Sequence, residues 1–142
     1  MPALNTPEFF INNLRIAREM MLYKEPDEVD LDGWRQDEVF EDRTAKSPSC
    51  GSICCFGGWC AWEPAFRALG VRSDSRGAPR LPGDIHVSQH LFGVNYMFGI
   101  RQRNEGARPG DSHARPNSVF ITDKQVVINR IDARLAALGA VA

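Results

Sequence analysis

Apolar residues recur every three or four positions near the N-terminus, which is the spacing of an amphipathic α-helix. The stripe follows Thr6-Pro7-Glu8, which supplies a capping side chain, a proline suited to the first helical turn and a favourable carboxylate. Glu25-Pro26 ends the predicted helix, because the residue before a proline disfavours helical geometry. The apolar members of the stripe are Phe10, Leu14, Ala17 and Met21.

The same spacing returns at the other end of the chain. Thr122-Asp123-Lys124-Gln125 is typical of a capping box and is expected to begin the last helix. Gly139 is expected to end it, because glycine readily adopts the left-handed conformation that closes helices. The apolar face of this helix consists of Val127, Ile131, Leu135 and Leu138.

The middle of the chain predicts three further helices. One is capped by Ser52 and runs to Ala61, and it should be central because it is apolar on most sides. A short helix over Pro64 to Leu69 ends at Gly70. The last runs over Ile85 to Phe92, with Asp84 as its cap and Gly93 after its end.

Two stretches leave alternatives open. Residues 71–82 are a loop with room for a short β-excursion, and residues 94–103 alternate like a strand but contain Gly99. We therefore expect a mainly α fold of about five helices with room for one small β-hairpin, in a single compact domain covering residues 1–142. The predicted core contains Phe10, Leu14, Met21, Trp34, Cys55, Phe56, Trp59, Phe66, Leu69, Leu91, Phe92, Ile131 and Leu135.

Composition is that of an ordinary globular chain, with 43% hydrophobic and 25% charged residues among 142. No apolar run approaches the roughly 20 residues of a membrane helix, and residues 1–6 do not resemble the start of a signal peptide. We expect a cytoplasmic protein. The four cysteines are then thiols or metal ligands before they are disulfides.

Charge is distributed unevenly. Eight carboxylates between positions 27 and 42 face Arg35 alone, whereas eight arginines between positions 67 and 115 face four carboxylates. Binding residues often lie on loops, so these stretches are the predicted binding sites, with solvated connecting loops as the alternative. We expect reversal of exposed arginines to leave folding intact. The candidate binding residues are Arg76, Arg80, Tyr96, Arg101, Arg103, Arg108, Asp37, Glu38, Glu41 and Asp42.

One motif is specific. Cys50-Gly51-Ser52-Ile53-Cys54-Cys55-Phe56-Gly57-Gly58-Trp59 resembles the C-G-[ST]-x-x-C-x-x-G-W signature of small uncharacterised proteins of bacteriophages and bacterial mobile elements. The resemblance covers roughly residues 29 to 94, and Cys54 and Cys60 are additions to the pattern. It implies a phage or prophage origin. Physically, the glycines and the shared face of Cys55 and Trp59 favour a packing motif.

Sharper chemistry was weighed against this interpretation. Cys50 and Cys54 (or Cys55), with His86 and His90, offer the donor types of a tetrahedral metal site. Buried cysteine is equally common as a small apolar residue, so we expect no metal and no cofactor. Cys50 near a helix start would be a candidate reactive thiol, but no base is placed beside it in the sequence.

We therefore expect a non-enzymatic accessory protein of phage type that binds and modulates a host protein or protein complex, for example as an inhibitor of a bacterial defence system. The alternative is binding of nucleic acid or a nucleotide through the arginine-bearing loops, where Tyr96 would stack a base.

Overall fold

The computed structural model describes residues 2–31 and 55–140. Five α-helices lie within them: α1 (Pro7–Leu22), α2 (Phe56–Cys60), α3 (Pro64–Ala68), α4 (Val87–Phe92) and α5 (Asp123–Ala137). Strands β1 (Arg72–Ser73) and β2 (Pro79–Arg80) form an antiparallel hairpin, and 3₁₀ turns occupy Pro26–Glu28, Pro82–Asp84 and Arg103–Glu105. The predicted fold class is confirmed. None of these helices combines the length and apolar character needed to cross a bilayer.

Helix α1 begins and ends where its sequence predicts. The Thr6 hydroxyl accepts a hydrogen bond from the Phe9 amide at 3.2 Å, which satisfies one of the free amides of the first turn. All four residues of the apolar stripe are buried against α4 and α5. Asn13 lies on the same buried side, and its side-chain amide donates to the Leu91 carbonyl at 3.0 Å. This polar contact fixes α1 against the end of α4.

Helix α2 is shorter than predicted. Ser52 lies outside the described residues, and the helix begins only at Phe56. Cys55 has an extended backbone (φ −72°, ψ 174°), and its Sγ accepts from the Gly58 amide at 3.4 Å. The prediction that Cys55 lies inside the helix is therefore wrong, because it is the residue that caps it. The central position is correct, since all five helical residues are buried.

The described half of the cysteine-glycine-tryptophan motif makes packing contacts. The Phe56 ring stacks on Phe92 at a centroid distance of 5.7 Å, and Phe98 meets it edge-on. The Trp59 indole donates to the Glu28 carbonyl at 2.9 Å, and Lys24 lies 3.6 Å from the centroid of its ring. These contacts join α2 to the segment that follows α1, and they support the interpretation of the motif as a packing element.

Helix α4 also begins later than predicted. Asp84 lies in a 3₁₀ turn with φ 56°, and His86 caps the helix, its Nδ1 accepting from the Gln89 amide at 3.3 Å. The predicted end is correct, because Gly93 adopts φ 78°. A Cβ there would lie 2.8 Å from the Phe10 ring and 2.7 Å from Arg134 Nη2. Glycine is therefore required both by the backbone and by the space.

The hairpin confirms the β-excursion predicted for residues 71–82. Asp74 organises its turn, because Oδ1 accepts from the amides of Arg76 (2.8 Å) and Ala78 (3.0 Å). The Arg80 side chain donates to the other oxygen of Asp74 at 3.0 Å. Residues 94–102 form turns and irregular structure rather than a strand, so the helical turn geometry, not the alternation, decides their conformation.

Helix α5 has the predicted cap and the predicted face. The Thr122 hydroxyl accepts from the Gln125 amide at 3.1 Å, while the Gln125 side chain donates to Asn129 instead of completing the capping box. Val127, Ile131 and Leu135 are fully buried.

One hydrophobic core joins all five helices. Among the predicted core residues, Leu69 is only partly buried and Trp34 lies outside the described residues. The remaining predicted members are buried, and the core also contains Phe9, Trp62, Val71, Met97 and Val126.

Candidate functional site

The candidate site is built on residues 101–121, which we call the basic segment. Its two ends are held together at Ala107, whose amide donates to the Val119 carbonyl (2.8 Å) and whose carbonyl accepts from the Ile121 amide (2.9 Å). Gly106 precedes this contact with φ 89°, and a Cβ there would lie 2.9 Å from the Val119 carbonyl oxygen. Residues 108–118 therefore form a closed loop anchored by a close backbone approach.

Asp123, the first residue of α5, is the buried centre to which the basic segment is tied. Arg101 Nη2 lies 3.1 Å from its Oδ1, and Arg108 donates to both of its oxygens at 3.2–3.3 Å. The Leu31 amide donates to Oδ2 at 2.9 Å. Arg101 Nη2 also donates to the Ile121 carbonyl. Two of the predicted binding arginines therefore contact an internal carboxylate.

Arg101 differs most from its expected role. Only 8% of its side chain is exposed, whereas Arg108 is 41% exposed. Burial lowers the pKa of the Arg101 guanidinium, Asp123 acts in the opposite direction, and Arg108 adds to the lowering. The expectation that Arg101 is an exposed loop charge is wrong, because its side chain turns inward to Asp123.

A second buried arginine was missed by sequence reasoning. Arg130 of α5 donates to both oxygens of Glu105 at 2.7 Å, and also to the carbonyls of Gly99 (2.8 Å) and Ile100 (2.9 Å). The fork thereby fixes the entry of the basic segment to α5. These hydrogen bonds from Arg130 lower the pKa of the Glu105 carboxyl. The available signal was position, since Arg130 lies three residues after Val127 on the apolar face of the helix.

Two arginines of the basic segment are not used internally. Arg103 and Arg115 are exposed, and neither side chain has an ion-pair or hydrogen-bond partner among residues 2–31 and 55–140. Both line a surface groove of about 570 Å³, which we call the Arg103 groove. Its other polar lining residues are Asn104, Asp111, His113 and Ser118.

Asp111 is the carboxylate of the groove, and it has a structural partner. Its Oδ1 accepts from the His113 amide at 2.9 Å, which shapes the turn at the tip of the loop. The groove is bordered by exposed apolar surface at Val119 (68%), and the adjacent Phe120 is 51% exposed. The groove therefore combines unpaired guanidinium groups, hydrogen-bonding side chains and an apolar edge.

The other predicted binding residues are not brought to this groove. Arg76 and Arg80 lie on the hairpin, and no hydrogen bond or ion pair between described residues connects the hairpin to the basic segment. Tyr96 is half exposed, outside the lining of the groove. The predicted acidic residues Asp37, Glu38, Glu41 and Asp42 lie outside the described residues.

The cysteine and histidine set considered for a metal is only partly described. Cys50 and Cys54 lie outside the described residues. Burial raises the pKa of the Cys55 thiol to about 11 and that of Cys60 well above its ordinary value, so both remain protonated at neutral pH. His86 caps α4, and His90 meets the Phe9 ring edge-on at 5.7 Å. In the described ranges, no three metal-ligating side chains converge.

The chain was compared with known proteins. No protein family, no curated protein and no solved structure matches it. Function is therefore argued from the groove and its charges.

Proposed function

We propose that this chain is a non-catalytic accessory protein that binds a host macromolecule through the Arg103 groove. One observation carries the proposal: Arg103 and Arg115 are left unpaired on the groove wall while Arg101 and Arg108 of the same segment contact Asp123. Arginine forks with unused donors are suited to planar carboxylates and phosphates. The groove therefore favours a partner that presents acidic groups.

Protein is the better-supported class of partner. Arginine and aromatic residues are enriched in protein interfaces, and the Arg103 groove adjoins exposed Val119 and Phe120. The resemblance of the 50–59 motif to phage and mobile-element proteins supports a host protein or protein complex as that partner. Inhibition of a bacterial defence system is one such role. Modulation of that kind requires binding energy and no catalytic group.

A charge-reversal experiment tests this surface. Arg103→Glu/Arg115→Glu should weaken partner capture from a bacterial lysate at least tenfold, because each arginine becomes a like charge toward an acidic partner. Arg72→Glu/Arg76→Glu on the hairpin is the matched control, since it produces the same change in net charge on another exposed loop. Equal loss in both variants would indicate non-specific charge attraction. Retention in both would refute the assignment of the groove.

The second candidate is binding of nucleic acid or a nucleotide, favoured by the same unpaired guanidiniums and by Tyr96, which is 52% exposed. The two candidates differ in salt dependence. Binding of a nucleic acid should weaken steeply as salt rises, because phosphate contacts release counterions. A gel shift at low and physiological salt, repeated with the Arg103→Glu/Arg115→Glu variant, distinguishes them. Capture that survives nuclease treatment and shows no gel shift assigns the partner to the protein class.

A further inference from the structure

A second pocket lies beside the Arg103 groove, on the other side of residues 106–111. It has a volume of about 410 Å³, and we call it the Arg101 pocket. It shares Gly106, Ala107 and Asp111 with the groove, but its charged side chains are Arg101 and Arg108. Its volume lies within the range of about 300–1,000 Å³ that is usual for small-molecule sites. It has room for more than an inorganic ion.

Arg101 is incompletely satisfied in this pocket. A guanidinium carries five N–H donors, and only those of Nη2 are used, on Asp123 and the Ile121 carbonyl. Nε and Nη1 are buried and have no hydrogen-bond partner in the described structure. Leaving a buried donor unsatisfied costs about 1–3 kcal/mol, and more for a charged group. Such groups are rare in native proteins, and an absent ion or ligand is one of their explanations.

The surrounding charges also favour an anion. The groups whose charges act on Arg101 are Asp123, Glu105, Arg108 and Arg130. With Arg101 itself, these are three guanidiniums against two carboxylates, a local excess of one positive charge. Asp111 at the pocket edge is occupied with the His113 amide. The excess charge is held in a partly buried place, where water screens it less than at the open surface.

From these observations we propose that the Arg101 pocket binds the phosphate group of a small phosphorylated ligand. The phosphate oxygens supply acceptors for Nε and Nη1 of Arg101, and Arg108 at the mouth of the pocket donates to the same group. A phosphate fits this donor set because its several oxygens accept from two guanidiniums at once. The site is separate from partner binding through Arg103 and Arg115, so either proposal stands if the other fails.

Calorimetric titration with sodium phosphate, at an ionic strength held constant with sodium chloride, tests the site in the full chain. We expect saturable binding at one site. Arg101→Lys should raise the Kd at least tenfold (about 1.4 kcal/mol), because lysine keeps the charge beside Asp123 but lacks the surplus donors. Arg108→Gln should act in the same direction through a side chain at the mouth of the pocket. Arg76→Lys on the hairpin should leave the Kd unchanged.

A second titration with adenosine diphosphate separates the two sources of phosphate. Displacement of phosphate by the nucleotide, with the same loss in Arg101→Lys, identifies a nucleotide-type ligand. Binding of inorganic phosphate alone identifies a small oxyanion site. Both results support the proposal. Absence of saturable phosphate binding, or a Kd that is unaltered in folded Arg101→Lys and Arg108→Gln, would overturn it. Arg108→Gln keeps the test decisive if Arg101→Lys does not fold.

Discussion

Removal of the Asp123 carboxylate should be among the most damaging single changes to a charged residue of this fold. Its side chain is 6% exposed and holds Arg101, Arg108 and the Leu31 amide at the beginning of α5. In Asp123→Ala, the Arg101 guanidinium loses its counter-ion while only 8% of that side chain is exposed. Breaking a buried pair by removing one partner costs about 3–5 kcal/mol, because the other charge remains desolvated.

The other contacts of Asp123 add little to this figure. Arg108 is 41% exposed, so water replaces the lost carboxylate and its contribution is at most about 1 kcal/mol. The Leu31 amide loses its acceptor, which costs about 1–3 kcal/mol if the amide stays buried. These contributions are not additive, so we expect a total loss of about 3–5 kcal/mol. With a urea slope of about 2 kcal/mol per molar, the unfolding midpoint should fall by about 2 M.

Urea unfolding followed by tryptophan fluorescence measures the effect. Asp132→Ala is the matched control, because Asp132 lies on the same helix and pairs with Arg18 at 2.7 Å, but both side chains are about one-third exposed (30% and 35%). The control should lose less than about 1 kcal/mol. The double variant Asp123→Ala/Arg101→Met should be more stable than Asp123→Ala alone, since it removes the unpaired buried charge. Equal losses for Asp123→Ala and Asp132→Ala, or no recovery in the double variant, would refute the reasoning.

Two further measurements check the core and the ion pairs. Phe56→Ala and Trp59→Ala should each lower the free energy of unfolding by about 3–5 kcal/mol in urea titrations, and a melting curve like that of the parent would contradict the packing assigned to α2. Arg130 holds the pKa of Glu105 below its ordinary value of 4.5, so the ionised pair stabilises the fold above that pH, and its contribution is lost as pH falls through the lower folded pKa. Stability should therefore fall less steeply on acidification in Glu105→Gln than in the parent, and parallel curves would exclude this coupling.

Local signals explain why the outer helices were predictable from the sequence. Thr6 and Thr122 are strong capping residues placed directly before an apolar stripe, and each accepts the expected amide. The two inner boundaries were misplaced because capping residues compete. Ser52 and Asp84 have the higher intrinsic preference for a cap, yet Cys55 and His86 perform that role. Tertiary packing around Phe56 and Phe92 outweighs a preference worth about 1 kcal/mol.

The candidate site was less predictable, because charge patterns do not reveal partners. The surplus of arginine in residues 101–115 is visible in the sequence, but the pairing of Arg101 with Asp123 depends on how the chain turns between them. Arg130 was overlooked because a charge on an apolar helical face has no local partner. Glu105, which satisfies it, lies 25 residues away in the chain. Long-range ion pairs of this kind follow from the fold and not from periodicity.

The division of the arginines into internal and unpaired sets also determines which substitutions can report on binding. Reversal of Arg101 would place a carboxylate beside Asp123 in a buried position, so lost binding in that variant would be indistinguishable from lost folding. Reversal of Arg103 and Arg115 changes exposed side chains with no partner in the described structure, and it should leave the unfolding midpoint within about 0.5 kcal/mol of the parent. Binding lost at unchanged stability is therefore informative at Arg103 and Arg115. For Arg101, the informative change is to lysine, which retains the charge that Asp123 requires and removes only the surplus donors.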